Sequence, residues 1–227
     1  MAFAYSPKII TDGLVFAVDA ANKKSYPGSG TTWTDLVDSN NGTLTNGPTY
    51  DSANGGSIVF DGANDYVAIA EGGMSFPDTN ADFTLEVVVS TNDIINSQTL
   101  FQQENLGGTG RAWIYLDNGN SPRYFSTYLG GSDVFLTSLA NPAASTVYHL
   151  HIKYESGDIH IGYNGVWYQS QTKSIDENSL GSFRIGSGKN TNLPFDGNIY
   201  CVRVYDRALS ASEILQNYNA LKSRFGL

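Results

Sequence analysis

His149, His151, Glu155 and His160 are the residues of this chain whose types and spacing come nearest to a reactive centre. The pattern His-x-His-x-x-x-Glu, followed by a third imidazole, offers three nitrogens and a carboxylate, a donor set suited to a transition metal. If Ser156-Gly157 closes a tight hairpin, all three histidines share one strand face. The plainer expectation is that they are solvent-facing residues of that hairpin, with Tyr148, Leu150, Ile152 and Tyr154 turned inward. Glycan hydrolysis would take two carboxylates about 5–9.5 Å apart, and Glu86 stands alone in its strand. Gly186-Ser187-Gly188-Lys189 is an incomplete phosphate loop, with Phe183 where its first Gly belongs and Asn190 in place of Ser or Thr. No enzyme is expected. A sugar-binding surface needs exposed aromatics beside polar side chains on a concave face. Trp113, Tyr115, Asp117, Asn118, Tyr124, Trp167 and Tyr168 are the candidates, against the alternative that large strand aromatics are core.

These residues have to be held by strands. Residues 14–19 form a nearly unbroken apolar run, as expected of a strand covered on both faces. Short strands are expected at 57–60, 65–69, 83–90, 99–103, 111–116, 123–128, 134–137, 148–154, 166–170 and 182–187, separated by Gly- and Asn-rich turns. Asn164-Gly165 marks a hairpin. The polar, Gly-rich stretch 22–56 predicts a long irregular loop pinned to the core by Trp33.

The chain closes with a strand over 198–206 and then Ser210-Ala211-Ser212-Glu213, a capping box. Ile214, Leu215, Tyr218, Leu221 and Phe225 recur at helical spacing. Lys222 and Arg224 fall at the negative end of the helix dipole, and Gly226 suits the C-cap. A helix this short is marginal alone in water, so it must dock on a sheet, through Ile214, Leu215, Tyr218 and Leu221.

Four segments resemble laminin-G-like domains of the concanavalin A-like lectin superfamily. They are Gly197–Ile214 (G-x-I-x-x-V-R-V-Y-D-R-A-L-S-x-x-E-I), Phe60–Val67 (F-D-G-x-N-D-Y-V), Phe83–Ser90, and the hairpin Tyr148–Val166. Val88 and Tyr148 stand where that family often carries Trp. The resemblance implies an all-β jelly-roll sandwich of two antiparallel sheets with one short C-terminal helix, the first and last strands side by side. It implies residues 1–12 as an N-terminal arm and 13–227 as the jelly-roll domain. Hydrolytic relatives use E-x-D-x-x-E, and no Glu here is followed two residues later by Asp. Many relatives hold a structural calcium with rim Asp and Asn oxygens. The loops Asp38–Asn41, Asp61–Asp65 and Asp117–Asn120 are the places for one, but none supplies six to eight oxygens alone. The His149 stretch also resembles the first metal motif of cupins, with Ala143 at its opening Gly and no histidine after His160 for a second motif.

The net charge of −9 and pI near 4.6 argue against nucleic acid or anionic membrane as partner. The lone Cys201 suits a reducing compartment, and the first residues show no secretory pattern. The wording of both chain ends resembles small virion proteins of tailed phages. On that resemblance the chain is expected to be a non-catalytic virion protein folded in the host cytoplasm, a capsid decoration or tail-fibre component. Its partners would be other virion proteins, copies of itself and surface glycans. A carbohydrate-binding lectin module is the alternative, and a cupin-like metalloprotein a third. Phe3, Tyr5, Ile9, Phe225 and Leu227 give the two ends an apolar weight expected to serve as assembly contacts.

Overall fold

The computed structural model describes residues 7–70, 81–104, 111–117, 124–129, 132–173, 183–188 and 192–227. In chain order the first strands are β1 (Leu14–Asp19), β2 (Thr32–Trp33), β3 (Gly42–Thr45), β4 (Thr49–Asp51), β5 (Ser57–Asp61) and β6 (Tyr66–Ile69). Next come β7 (Phe83–Thr91), β8 (Gln98–Glu104), β9 (Arg111–Asp117), β10 (Tyr124–Leu129) and β11 (Ser132–Phe135). The last are β12 (Tyr148–Glu155), β13 (Asp158–Tyr163), β14 (Val166–Thr172), β15 (Phe183–Ile185) and β16 (Asp196–Tyr205), followed by helix α1 (Ala211–Phe225).

All described strand pairs are antiparallel, in two sheets. Sheet A runs β14-β13-β12-β7-β16-β5-β4, with β1 also on β16, and sheet B runs β11-β10-β9-β8-β15-β6-β3-β2. Their facing surfaces meet in one core that includes Phe16, Phe60, Leu85 and Ile152 from sheet A and Phe101, Ile114, Phe125 and Phe183 from sheet B. The alternation of strand side chains sets this arrangement. In β15, Phe183 and Ile185 are buried and Arg184, between them, faces the other way.

The expected sandwich and single C-terminal helix are both present, and the terminal strands are adjacent, Leu14 opposite Tyr205 and Asp19 opposite Cys201. Strand β16 does most to organise sheet A: one edge pairs with β7, the other with β5 and then β1. Both expected hairpin turns hold, with positive φ at Ser156, Gly157, Asn164 and Gly165. Trp33 is completely buried, the pin the sequence called for.

The stretch 22–56 is not an irregular loop. It contributes β2, β3 and β4, because Leu44 and Trp33 point into the core from segments short enough to escape a periodicity reading. Among the described residues no helix is long and apolar enough to cross a membrane.

The helix forms as its caps require. The Ser210 side chain accepts from the Glu213 amide, Glu213 reaches back to the Ser210 amide, and Gly226 takes the left-handed conformation at the C-cap. Its buried residues are Ile214, Asn217, Leu221 and Phe225. Leu215, expected in the contact, is 44% exposed, since the buried stripe is centred on Asn217 rather than between Leu215 and Tyr218.

Candidate functional site

The outer face of sheet A is polar in sequence and sealed in the structure. Glu86, His149, His151 and Arg203 project from β7, β12 and β16 and are all buried beneath α1 and Trp167. Asn217 reaches down from the helix and donates to both Glu86 oxygens, at 3.1 and 3.0 Å, while His149 Nε2 lies 3.1 Å from Glu86 Oε1. The Tyr205 hydroxyl lies 3.0 Å from Asn217 Nδ2 and donates to the Ile10 carbonyl at 3.1 Å. The Ile10 amide in turn donates to Asn217 Oδ1 at 2.8 Å. Burial alone would raise the Glu86 carboxyl. The contacts with His149, Arg203 and Asn217 outweigh it and hold Glu86 below its ordinary value.

His151 packs edge-on against Trp167, 4.4 Å between ring centres, and Gly162 opposite it has no Cβ to collide with the imidazole. Burial first, and His149 second, holds His151 well below the ordinary histidine range. The expectation of a solvent-facing row at His149 and His151 is therefore wrong: the alternation is right, but the second face is covered by the C-terminal helix. His160 is half-buried, 6.3 Å from the Trp167 ring. Among the described residues no three His, Cys, Asp or Glu side chains are placed to hold a metal ion.

The outer face of sheet B differs. Register places Gln102 beside Arg184, Arg184 beside Ala68 and Ala68 beside Thr43, so these four cross the sheet on one side. Gln102 is buried at the inner end of this row; Arg184, Ala68 and the neighbouring Tyr66 and Thr45 are half-exposed, and Thr43 is exposed. The Arg184 guanidinium lies over the Tyr66 ring at 4.4 Å and Nη1 donates to the Gly188 carbonyl at 3.3 Å. No described helix covers this side.

The candidate sugar-contact residues do not converge. Tyr115, Asp117, Trp113 and Tyr124 belong to sheet B, whereas Trp167 and Tyr168 lie on β14 at the edge of sheet A. Tyr115 is 8% exposed and donates to Asp133 Oδ1 at 2.6 Å, so its ring is not an open platform. Its hydroxyl is pushed well above the ordinary tyrosine range by burial and then by Asp133. Trp167 is turned toward α1, packed with Tyr205, Leu209 and Ile214. Tyr168 is 44% exposed and stacks on Tyr163 at 4.8 Å. Asp117 is half-exposed, opposite Tyr124 in the backbone register. Trp113 is the register partner of Gln102, which extends the row on sheet B to β9. The side chains of Trp113 and Tyr124, and Asn118 altogether, lie outside the described residues.

The assembly contacts fare differently from expectation. Phe225 is 4% exposed and packs on Tyr200 at 4.9 Å; Ile9 and Leu227 are half-buried against the same cluster. The apolar weight of Phe225 is spent inside the molecule, while Ile9 and Leu227 keep part of theirs at the surface. Phe3 and Tyr5 lie outside the described residues. What sequence reasoning missed is Arg184 with Tyr66 and Gln102. No local pattern marks it: the lone cation of Phe-Arg-Ile gains its neighbours only through strand register.

A rim cleft of about 460 Å³ is lined by Asp61, Asp93, Asp196, Asn96 and Gln98, among others. Its carboxylates are occupied as turn builders. Asp61 Oδ1 accepts from the Ala63 amide at 2.9 Å, Asp93 Oδ1 from the Ile95 amide at 2.6 Å, and Asp196 Oδ1 from Asn92 Nδ2 at 3.1 Å. Beside the loop 38–41, both Asp35 oxygens accept backbone amides, and Asn41 Oδ1 accepts the Asp35 amide at 3.0 Å. In these loops the bonded carboxylate oxygens accept amides or an amide side chain, and Asp65 Oδ1 is buried without a hydrogen-bond partner; none of the loops brings together the six to eight oxygens that a calcium takes. Residues 118–120 of the third loop lie outside the described residues.

Two antiparallel sheets, one outer face sealed by a terminal helix and the other presented, define a lectin-type β-sandwich. The chain belongs to the concanavalin A-like lectin/glucanases superfamily, whose laminin-G-type model matches residues 61–215. Domain 4 of an extracellular arabinanase from Geobacillus stearothermophilus, solved with arabinotriose, is similar in fold: TM-score 0.69, 18% identity, 90% of this chain and 98% of that one. Trypanosoma rangeli sialidase gives a TM-score of 0.70 at 14% identity, covering 97% of this chain and 36% of the sialidase. The binding domain of botulinum neurotoxin serotype D gives 0.68 at 12%, covering 92% and 52%. At these identities the likeness is one of fold. No curated protein sequence matches the chain.

Proposed function

We propose that this chain is a non-catalytic carbohydrate-binding module that contacts glycans through the outer face of sheet B. The observation that carries the reading is the half-open row of Tyr66, Arg184 and Ala68, an aromatic ring and a polar fork beside a small residue, on a sheet that no described helix covers. Family membership and an arabinotriose complex of a domain of the same fold support it. Glu86, the carboxylate at mid-strand, is enclosed beneath α1 and spent on Asn217 and His149, which supports a binding rather than a hydrolytic role. The finer part of the proposal is the setting: the module is carried on a phage particle, as a capsid decoration or a tail-fibre part, and meets host surface glycans there. The wording of the chain ends and a charged fraction of only 15% support that setting.

A glycan array probed with the purified chain tests the binding role. Retention of at least one glycan class, weakened by Tyr66→Ala with no sugar released, is the expected result. An array without signal overturns it. Mass spectrometry of purified particles tests the setting separately.

A further inference from the structure

Arginine partners single out one position. Arg207 grips Glu213 with two bonds, at 3.1 and 2.6 Å, and Arg224 grips Asp19 with two, at 2.7 and 2.5 Å. Arg203 is buried as the register partner of Glu86. Among the described residues, Arg184 alone of these arginines has no carboxylate beside it. In a chain with 22 acidic and 13 basic residues an arginine has many potential acidic partners. Its described contacts are the Tyr66 ring and one bond to the Gly188 carbonyl, which leave most of its five N–H donors unused.

Those two contacts hold the guanidinium rather than neutralise it. Stacking on an aromatic ring fixes the plane of the fork, and a planar fork matches a carboxylate bidentately. Gln102 stands on one side of Arg184 with an amide, its oxygen close to Gly188. On the other side Ala68 brings no bulk above the sheet, and the hydroxyl residue Thr43 lies beyond it. A sugar ring lying over Ala68 would place a ring carboxylate at Arg184 and hydroxyls toward Thr43. The net charge of −9 sets the scale of the anion: the molecule as a whole repels a densely charged chain far more than a single carboxylate.

We propose that Arg184, stacked on Tyr66, is an anion-reading subsite that selects a sugar bearing one carboxylate, a uronic or sialic acid. The inference rests on the glycan-binding reading and narrows it to acidic glycans. Calorimetry on the full chain at about 50 mM salt tests it with two matched pairs. These are a neutral oligosaccharide ending in one glucuronate against its methyl ester, and 3′-sialyllactose against lactose, with 3′-sulfolactose as a further arm. At least one acid is expected to bind tenfold or more tightly than its neutral partner, the uronate and sialate arms telling which. Arg184→Gln should erase that margin and leave the melting temperature unchanged, Arg184→Lys should restore part of it, and added salt should weaken the acid alone in the unaltered chain. Equal binding of acid and neutral partner overturns the anion subsite but spares the glycan-binding role. Equal affinity for 3′-sulfolactose and 3′-sialyllactose overturns the carboxylate assignment. A chain that binds no glycan on the array fails the underlying reading, and this inference with it.

Discussion

Sheets A and B each present an outer face, and the more polar of the two by sequence is the one whose centre is closed to water. Sheet A turns a glutamate, two histidines and an arginine outward, and α1 closes over them. Sheet B turns out Tyr66, Ala68 and Arg184, and they stay half-exposed. The difference lies in the partners. Asn217 and Ile10 supply donors and acceptors matched to Glu86 and Tyr205, so the centre of the polar row is bonded to the helix and the arm, while the His151 ring nitrogens and Arg203 Nη1 beside it are buried without a hydrogen-bond partner. A buried polar group that keeps its hydrogen bonds costs little, whereas one left alone costs on the order of 1–3 kcal/mol. Polarity of a strand face therefore indicates surface only where nothing else in the chain is built to complement it.

The sharpest way to break this contrast is Asn217→Ala. It removes the helix's two donors to Glu86 and leaves the buried carboxylate to His149 and Arg203, so it should cost about 2–3 kcal/mol in chemical denaturation. A loss under about 1 kcal/mol would show that the network is incidental to helix docking.

Acid should act next. His151 stays neutral in the folded chain well below 6.5, while the unfolded chain takes up that proton near 6.5. Below 6.5 the unfolded state thus binds more protons, so stability is intact above that pH and falls beneath it, by at most about 1.4 kcal/mol per pH unit for one proton. His160 shifts in the same direction, by burial and Lys153. Melting curves from pH 8 to pH 5.5 should be flat at first and then decline, and His151→Leu should flatten the decline. An undiminished slope in that variant would locate the titration elsewhere.

Ser210→Ala is expected to cost about 1 kcal/mol, the usual worth of an N-cap hydroxyl. Because its bonds to Arg207 pull Glu213 down to about 2, the other half of the capping box should survive at pH 4, and helix content by circular dichroism should show it. On the open face the effect should be smallest: Arg184→Ala should shift stability by no more than about 0.5 kcal/mol. A larger loss would mean that Arg184 is structural and that the two faces are less different than they look.

Much of the fold was legible because its signals are local. The capping box from Ser210 to Glu213, the turn at Asn164-Gly165 and the alternation of Tyr148–Tyr154 each declare themselves within a few residues. Family motifs carried the rest of the sandwich. Strands β2 to β4 were not legible, being two to four residues long and held by their pairing within the two sheets. The site was read less well, for a related reason. Which face of β12 or β14 meets water depends on α1, some forty residues or more further along the chain, so His151 looked exposed and is buried, and Trp167 is turned in against the helix. Arg184 escaped notice because a single cation in a three-residue strand has no pattern around it; its meaning comes from Tyr66 and Gln102, which register alone brings to its sides.

The position of β16 also has a consequence in time. The strand that fills the middle of sheet A, between β7 and the pair β1 and β5, is the one that leaves the ribosome after all of them. Until it arrives, β7 presents a bare edge on the side where β16 will lie, and neither β1 nor β5 has that central neighbour. Pairings as distant as Leu14 with Tyr205 close slowly, since the entropy of a long loop must be met before any contact rewards it. The nascent chain must therefore wait as an open half-sandwich, and chaperone binding or edge-to-edge aggregation during synthesis should concentrate in that interval and end when β16 inserts.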